Sequence, residues 1–305
     1  MENNDSNCWK SGCQRLLLPR REGGAVTWRE LLEKGKEALT EAGIEDARLD
    51  AWYLLEYVSH MGRADYFLHQ EEKITSEECS RYFELLERRS RHMPLQYLTG
   101  IQEFMGLTFK VSQDVLIPRQ DTELLVELLL PACRGKRILD LCTGSGCIAV
   151  SLAKLGSPDY VAAADISEAA LKIAEQNAEK MDAPVCFWQS DLYDKITGSY
   201  DIIVSNPPYI RSDTLDTLMP EVRAFEPELA LDGGEDGLDF YRRIVRGARQ
   251  HLEREGILAV EIGFDQADDV KKLFEENDFC HIASHKDLCG LDRVVTGCLC
   301  KYNEY

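Results

Sequence analysis

The chain has 305 residues, with 54 Asp and Glu against 35 Lys and Arg, giving a formal net charge of -19. That length allows two domains, and 44% hydrophobic with 29% charged residues excludes a wholly disordered, collagen-like or Pro/Gly-rich chain. Most of the acidic excess falls beyond residue 100, so stable binding to nucleic acid is not expected, because it relies on Lys and Arg neutralising phosphates.

In chain order, Met1 to Arg21 is polar and mixed in charge, and its apolar Leu16-Leu17-Leu18 is too short for a secretory leader. Residues 1–24 are therefore expected to be a flexible tail. Thr27-Trp28-Arg29-Glu30 then has capping-box spacing, followed by a stripe of Trp28, Leu31, Leu32, Ala38 and Leu39 that Gly43 ends. A second amphipathic stretch after Asp46 carries Leu49, Trp52, Tyr53, Leu55 and Val58, and a third from Thr75, with Glu78 three residues on, carries Cys79, Tyr82, Phe83, Leu85 and Leu86 and stops before Pro94. Together they predict a small helical bundle.

From Gln102 short β-rich runs flank Met105-Gly106, which predicts a hairpin. A helix is expected from about Asp121 to Leu130, closed by Pro131. Strands and helices then alternate: strands at 137–141, 161–165, 185–189, 201–205 and 257–261, helices from Cys147, Ser167, Leu238 and Gln266, and two last strands near 281–284 and 294–300. This alternation predicts an α/β, Rossmann-like domain with a mostly parallel sheet covered on both faces. The expected division is a tail at 1–24, a helical domain at 25–100, a β-hairpin linker at 101–118 and the α/β domain at 119–305.

The eleven cysteines are odd in number and contain no C-x-x-C pair, and Cys298-Leu299-Cys300 reads as one face of a strand. Free thiols in a reducing cytoplasm are expected, with no metal site. No apolar run reaches the ~18 residues of a membrane span, so no membrane partner is expected.

Asp140-Leu141-Cys142-Thr143-Gly144-Ser145-Gly146 joins the first strand of the sheet to its first helix, where Gly144 and Gly146 allow a tight turn and close approach by a ligand. Asp165 closes the next strand about 20 residues on, where a carboxylate can accept from both hydroxyls of a ribose. Those features suit NAD and S-adenosylmethionine alike. Asp140 separates them, because a carboxylate before the loop would oppose a pyrophosphate yet suit the cationic amino-acid end of S-adenosylmethionine. Asp191-Leu192, after the third strand, is placed to meet an adenine with an acceptor and an apolar wall.

Ser205-Asn206-Pro207-Pro208-Tyr209-Ile210 follows the fourth strand and is the most specific feature in the chain. Two prolines stiffen the turn, while Asn206 and the Pro207 carbonyl offer two acceptors and Tyr209 a ring face. That set matches a planar NH2 group by both its hydrogens. Holding both while the nitrogen faces a sulfonium methyl favours loss of amide delocalisation, so no strong general base is required.

The chain resembles the release factor glutamine methyltransferases, the PrmC or HemK family, from about residue 27 onward. The residues that carry the resemblance are Ile117-Pro118-Arg119-Gln120-Asp121-Thr122-Glu123, the Asp140–Gly146 loop, Asp165, Gln189-Ser190-Asp191, Asn206-Pro207-Pro208-Tyr209-Ile210 and Phe225-Glu226-Pro227. The resemblance implies a class I S-adenosylmethionine-dependent fold with a seven-stranded sheet, and methylation of the side-chain N5 of the glutamine in the Gly-Gly-Gln motif of peptide chain release factors. The cofactor site is expected at Cys142, Thr143, Gly144, Ser145, Gly146, Asp165, Asp191, Leu192 and Asn206. The substrate site is expected at Asn206, Pro207, Pro208 and Tyr209, with Asn206, Pro207 and Tyr209 catalytic. A monomer whose helical domain helps grip the protein substrate is implied as well, and Arg119, Thr122, Glu123 and Glu226 are candidates for ordering the entrance. Two positions depart from the family, which generally has Gly where Cys142 stands and often Pro where Gln120 stands. The nearest alternative reading is an amino methyltransferase acting on adenine or cytosine in nucleic acid, since an exocyclic amine has the same two donors and flat face. A cofactor-binding adaptor and a dinucleotide oxidoreductase are more distant alternatives.

Overall fold

The structure, a computed structural model, describes residues 26–300. The tail expected at 1–24 lies outside the described residues. The chain divides into two compact units that meet between Thr99 and Gly100.

The first unit is helical: α1 (Trp28–Glu41), α2 (Ala47–Ser59), α3 (Arg63–His69), α4 (Ser76–Arg89) and α5 (Leu95–Thr99). Both predicted capping boxes form. Thr27 accepts from the Glu30 N–H at 3.3 Å while Glu30 accepts from the Thr27 N–H at 3.0 Å, and Thr75 and Glu78 repeat this at 3.2 and 2.8 Å. Leu31, Leu39, Leu54, Leu55, Tyr82 and Leu86 are fully buried between these helices. Of the residues expected on the apolar face of α2, Trp52, Leu55 and Val58 are buried, whereas Leu49 and Tyr53 are exposed; Ala47, Ala51 and Leu54 complete the buried face, because α2 packs on two neighbours, α1 and α4. The short α3 and α5 had no clear apolar period to reveal them.

The second unit opens with a hairpin of β1 (Ile101–Phe104) and β2 (Leu107–Lys110). Met105 and Gly106 both have positive φ, 53° and 69°, which is the turn whose twist matches a two-residue hairpin. Phe104 and Phe109 are buried in the same apolar layer as Leu125, so the hairpin is part of the body of this unit. A 3-10 turn at 120–122 leads into α6 (Glu123–Leu129), and Pro131 sits in a second 3-10 turn. Then follow β3 (Arg137–Leu141), α7 (Cys147–Leu155), β4 (Tyr160–Asp165), α8 (Glu168–Lys180), β5 (Cys186–Gln189), β6 (Tyr200–Ser205), α9 (Pro220–Phe225), α10 (Asp239–His251), β7 (Leu252–Glu261), α11 (Ala267–Glu275), β8 (Phe279–Lys286) and β9 (Asp292–Leu299).

The seven strands lie in the order β5-β4-β3-β6-β7-β9-β8, with β9 antiparallel to both neighbours and the rest parallel. Successive β3 residues serve opposite layers: Ile138 packs with α6 and α7, whereas Leu139 and Leu141 pack with α10 and α11. The expected class of sheet is thus present. Chain order reverses at β3, whose neighbours are β4 and β6, and this places a ligand crevice at their carboxyl ends.

Candidate functional site

The loop leaving β3 is held from both sides. Asp165, at the end of β4, accepts from the Gly144 N–H through Oδ2 and from the Ser167 N–H through Oδ1, both at 2.9 Å. Burial raises its pKa, and these backbone donors oppose that rise. Each oxygen keeps a lone pair for a further donor. Asp140 is fully buried; its Oδ2 accepts from the Thr143 hydroxyl at 2.6 Å and the Ala149 N–H at 3.3 Å, while Oδ1 has no hydrogen-bond partner. Burial pushes its pKa up to about 7. Cys142 adopts φ +58°, a left-handed conformation that glycine takes at no steric cost. Cysteine, standing where the family generally has glycine, therefore bears the steric cost of that conformation.

At the end of β6, the Ser205 hydroxyl donates to the Leu141 carbonyl at 2.8 Å and ties the two central strand ends together. Asn206 follows at once. Its Nδ2 donates to Thr122 Oγ1 at 3.3 Å, and its Oδ1 makes no hydrogen bond among the described residues. Tyr209 donates from its hydroxyl to Glu261 Oε1 at 3.5 Å and accepts at its carbonyl from Gln266 Nε2 at 3.0 Å. Glu261 closes β7 and is buried, with Oε2 unpartnered.

These strand ends surround a cleft of about 890 Å³, its open mouth included. Of the expected site residues, Cys142, Gly144, Asp165, Asp191, Leu192, Asn206 and Pro208 line it. Thr143, Ser145, Gly146, Pro207 and Tyr209 do not. Thr143 spends its hydroxyl on Asp140, the Ser145 carbonyl accepts from Asn177 at 2.9 Å, and Gly146 has φ +79° where an added Cβ would meet that of Ala174 at 3.0 Å. These three hold the loop and seat α7 against α8. Pro207 is buried. The carboxylate of Asp191 is engaged by Arg243 at 2.7 Å, so it faces the cleft as half of an ion pair.

Reasoning from the sequence missed Arg243 and Phe240 on α10, and Leu229 after Pro227, all of which join the wall. It also missed Glu261, although a carboxylate ending a parallel strand is the same signal that singled out Asp165. Among the entrance candidates, Arg119 pairs with the buried Glu226 at 2.5 Å and so joins the two family segments. Glu123 accepts from the Met105 N–H at 2.6 Å and secures the hairpin turn, and Thr122 is buried beside Asn206.

The donor set suits S-adenosylmethionine. A carboxylate with spare lone pairs, Asp165, lies beside apolar Ile166, Leu192 and Phe240, and Asp140 Oδ1 is a buried acceptor without a partner under the loop. Among the described residues no group of three His, Cys, Asp or Glu could hold a metal ion, the nine cysteines are free thiols, and no helix is long and apolar enough to cross a membrane. Cys8 and Cys13 lie outside the described residues.

Comparison with known proteins agrees with this geometry. Residues 30–100 match the family described as the PrmC N-terminal domain, and residues 119–221 match the methyltransferase small domain. A crystal structure of a methyltransferase from Pyrococcus furiosus superimposes with a TM-score of 0.52 at 17% identity, covering 65% of this chain and 91% of that one. Fold and domain match together define a methyltransferase of the Rossmann-like, S-adenosylmethionine-dependent class. The release factor glutamine methyltransferase of Geobacter sulfurreducens is 42% identical over 273 residues, covering 89% of this chain and 96% of that protein. That of Agrobacterium fabrum is 40% identical over 283 residues, covering 90% and 98%. The chain belongs to the release factor glutamine methyltransferase family.

Proposed function

We propose that this protein transfers the methyl group of S-adenosylmethionine to the side-chain N5 of the glutamine in the Gly-Gly-Gln motif of peptide chain release factors. The observation that carries the reading is Asn206, which lines the same cleft as Asp165 and turns its amide nitrogen away to Thr122.

Bound S-adenosylmethionine supplies an electrophilic methyl carbon, the sulfur keeping the electron pair of the broken bond. The chain's own groups do the rest. Asp165 accepts from the ribose hydroxyls; Cys142 and Gly144 give the backbone wall; Leu192 supplies the apolar side of the adenine pocket, with Asp191 and its Arg243 partner at the rim. Thr143, Ser145 and Gly146 act one layer back by keeping the loop in shape. Asn206 and the Pro207 carbonyl accept the two hydrogens of the glutamine amide, Pro208 stiffens the turn, and Tyr209 packs on the amide plane. Holding both hydrogens orients the nitrogen and raises its nucleophilicity. After methylation the nitrogen gives one proton to solvent, so the site needs no dedicated base. Positioning of this kind is worth up to about 7 to 11 kcal/mol in well-oriented systems.

We read the helical unit as the grip on the protein substrate, and the protein as a cytoplasmic monomer without stable nucleic-acid binding. The net charge of -19 supports the last point. The test is incubation with labelled S-adenosylmethionine and candidate release factors, with the methyl located by mass spectrometry. Asn206→Ala is expected to lower turnover by about 100-fold or more, as loss of one transition-state hydrogen bond does, while retaining cofactor affinity. Near-normal turnover would remove Asn206 from the reaction.

A further inference from the structure

β5 is the edge strand of the sheet and pairs with β4 alone, so the sheet supports the loop that follows it, residues 190–193, from one side. On that side the Ser190 N–H donates to the Asp165 carbonyl at 2.9 Å. The loop carries backbone strain all the same. Leu192 has φ +48°, in the left-handed region where a large side chain crowds its own backbone, and this is the residue that supplies the apolar wall of the cleft. The support that offsets the strain comes from α10.

Phe240, Arg243, Ile244, Gly247 and His251 recur along α10 at helical spacing and therefore share a face. Phe240 joins the cleft wall, and Arg243 pairs with Asp191 at 2.7 Å. Tyr193, on the other side of Leu192, lies along the rest of that face. Its hydroxyl donates to the Ile244 carbonyl at 3.0 Å, and its ring stacks on His251 with centroids 4.8 Å apart and planes within 8° of parallel. The ring also covers Gly247, where an added Cβ would fall 2.5 Å from Tyr193 Cε2. Glycine weakens a helix interior, and here its bare backbone leaves the space that the tyrosine ring fills. Leu192 is thus held between two neighbours, each anchored to the same helix.

We propose that Tyr193 is a positioning residue for the cofactor: seated on Gly247, it keeps Leu192 in its left-handed turn, so that the apolar wall and the Asp191 carboxylate are set for a 6-aminopurine before the cofactor arrives. The inference deepens the proposed function and rests on its adenine pocket of Asp191 and Leu192. Tyr193 lies behind the cleft wall rather than on it, and acts through its two neighbours. A chemical consequence follows. Asp191 gives Oδ1 to Arg243, and an ionised carboxylate has only acceptors, which suit the exocyclic NH2 of adenine and oppose the carbonyl of a 6-oxopurine. Discrimination between the two bases therefore reports where the loop sits.

The experiment measures, in the full-length protein, Kd for S-adenosylhomocysteine and for its 6-oxo analogue S-inosylhomocysteine by titration calorimetry, together with kcat and KM for S-adenosylmethionine on a release factor. The parent should prefer the 6-amino ligand by about 10- to 100-fold. Tyr193→Ala and Gly247→Ala should each raise Kd for S-adenosylhomocysteine by about 10-fold or more and cut that preference to about threefold or less, with kcat at saturating cofactor within about threefold of the parent. Tyr193→Phe keeps the ring on Gly247 and should recover most of the loss. In the Tyr193→Ala background Gly247→Ala should add nothing, because the ring it displaces is gone. Leu192→Ala is the control for the pocket. If it weakens binding while Tyr193→Ala and Gly247→Ala bind as the parent does, the inference is overturned. It is overturned equally if those two variants bind weakly with the base preference intact, which is what a merely structural role would give. Parental binding by Leu192→Ala overturns the adenine pocket, and the inference with it, while methyl transfer to the release factor stands. Should Tyr193→Ala fail to fold, Gly247→Ala against Tyr193→Phe decides.

Discussion

Glu261 offers a stability measurement that is independent of catalysis. Burial moves its pKa from an ordinary 4.5 to about 7, so the folded state holds this proton more tightly than the unfolded chain. For a carboxyl shifted in that direction, stability is highest at low pH and falls as the pH rises from the unfolded value through the folded one, levelling off above it. Linkage over that interval gives a penalty of about 1 kcal/mol at pH 5.5 and about 3 kcal/mol at pH 8.5. Glu261→Gln cannot titrate. Whatever constant offset its amide introduces, its stability relative to the parent should therefore improve by about 2 kcal/mol across that range. The lower limit is set at 5.5 because the sequence pI of about 4.8 invites association below it. Calorimetry of paired samples without cofactor is the assay, following the transition of the larger unit. For some 200 residues the gain corresponds to an advantage in Tm that widens by about 4 to 8 °C. Other titrating groups cancel in the comparison. Parallel Tm profiles for the two proteins would refute the argument, since they would mean that the carboxyl ionises alike in the folded and unfolded states.

Three further outcomes follow from particular contacts. Gly35 lies in α1, where Gly→Ala ordinarily adds about 1 kcal/mol of helix stability. Here an added Cβ would fall 2.1 Å from the hydroxyl of the buried Tyr82, which donates to the Ala51 carbonyl at 2.9 Å. Gly35→Ala should therefore destabilise the helical unit by about 1 to 3 kcal/mol, and a raised Tm would contradict this packing. Asp165→Ala removes the anchor of the Gly144 and Ser167 N–H groups together with the proposed acceptor for ribose, and should weaken S-adenosylmethionine binding by about 10- to 100-fold in titration calorimetry; an unchanged Kd would exclude it from the cofactor site. Arg119→Ala deprives the buried Glu226 of its ion-pair partner and should cost about 1 to 3 kcal/mol in urea unfolding, with no loss counting against a structural role for the pair.

Local chemistry in the sequence was enough for the elements that depend on neighbours along the chain. The capping boxes at Thr27 and Thr75, the Met105-Gly106 turn, the alternation of strands with helices and the Asn-Pro-Pro-Tyr segment each involve residues within a few positions of one another, so propensity, periodicity and turn chemistry determined them. Resemblance to the release factor glutamine methyltransferases then supplied the expected reaction. Partnerships across large sequence separations had no such local signal. Thr143, Ser145 and Gly146 were grouped with Cys142 and Gly144 by adjacency, yet Thr143 and Ser145 turn into the body of the unit and Gly146 seats against Ala174, so none of the three lines the cleft. Asp191 meeting Arg243, and Arg119 meeting Glu226, required the strand order to be known. The buried face of α2 was likewise settled by its two neighbours. Only the tertiary structure brought Asn206 to Thr122 and Tyr209 to Glu261, because these partners are far apart along the chain and meet only where β6, β7 and the turn before α6 pack.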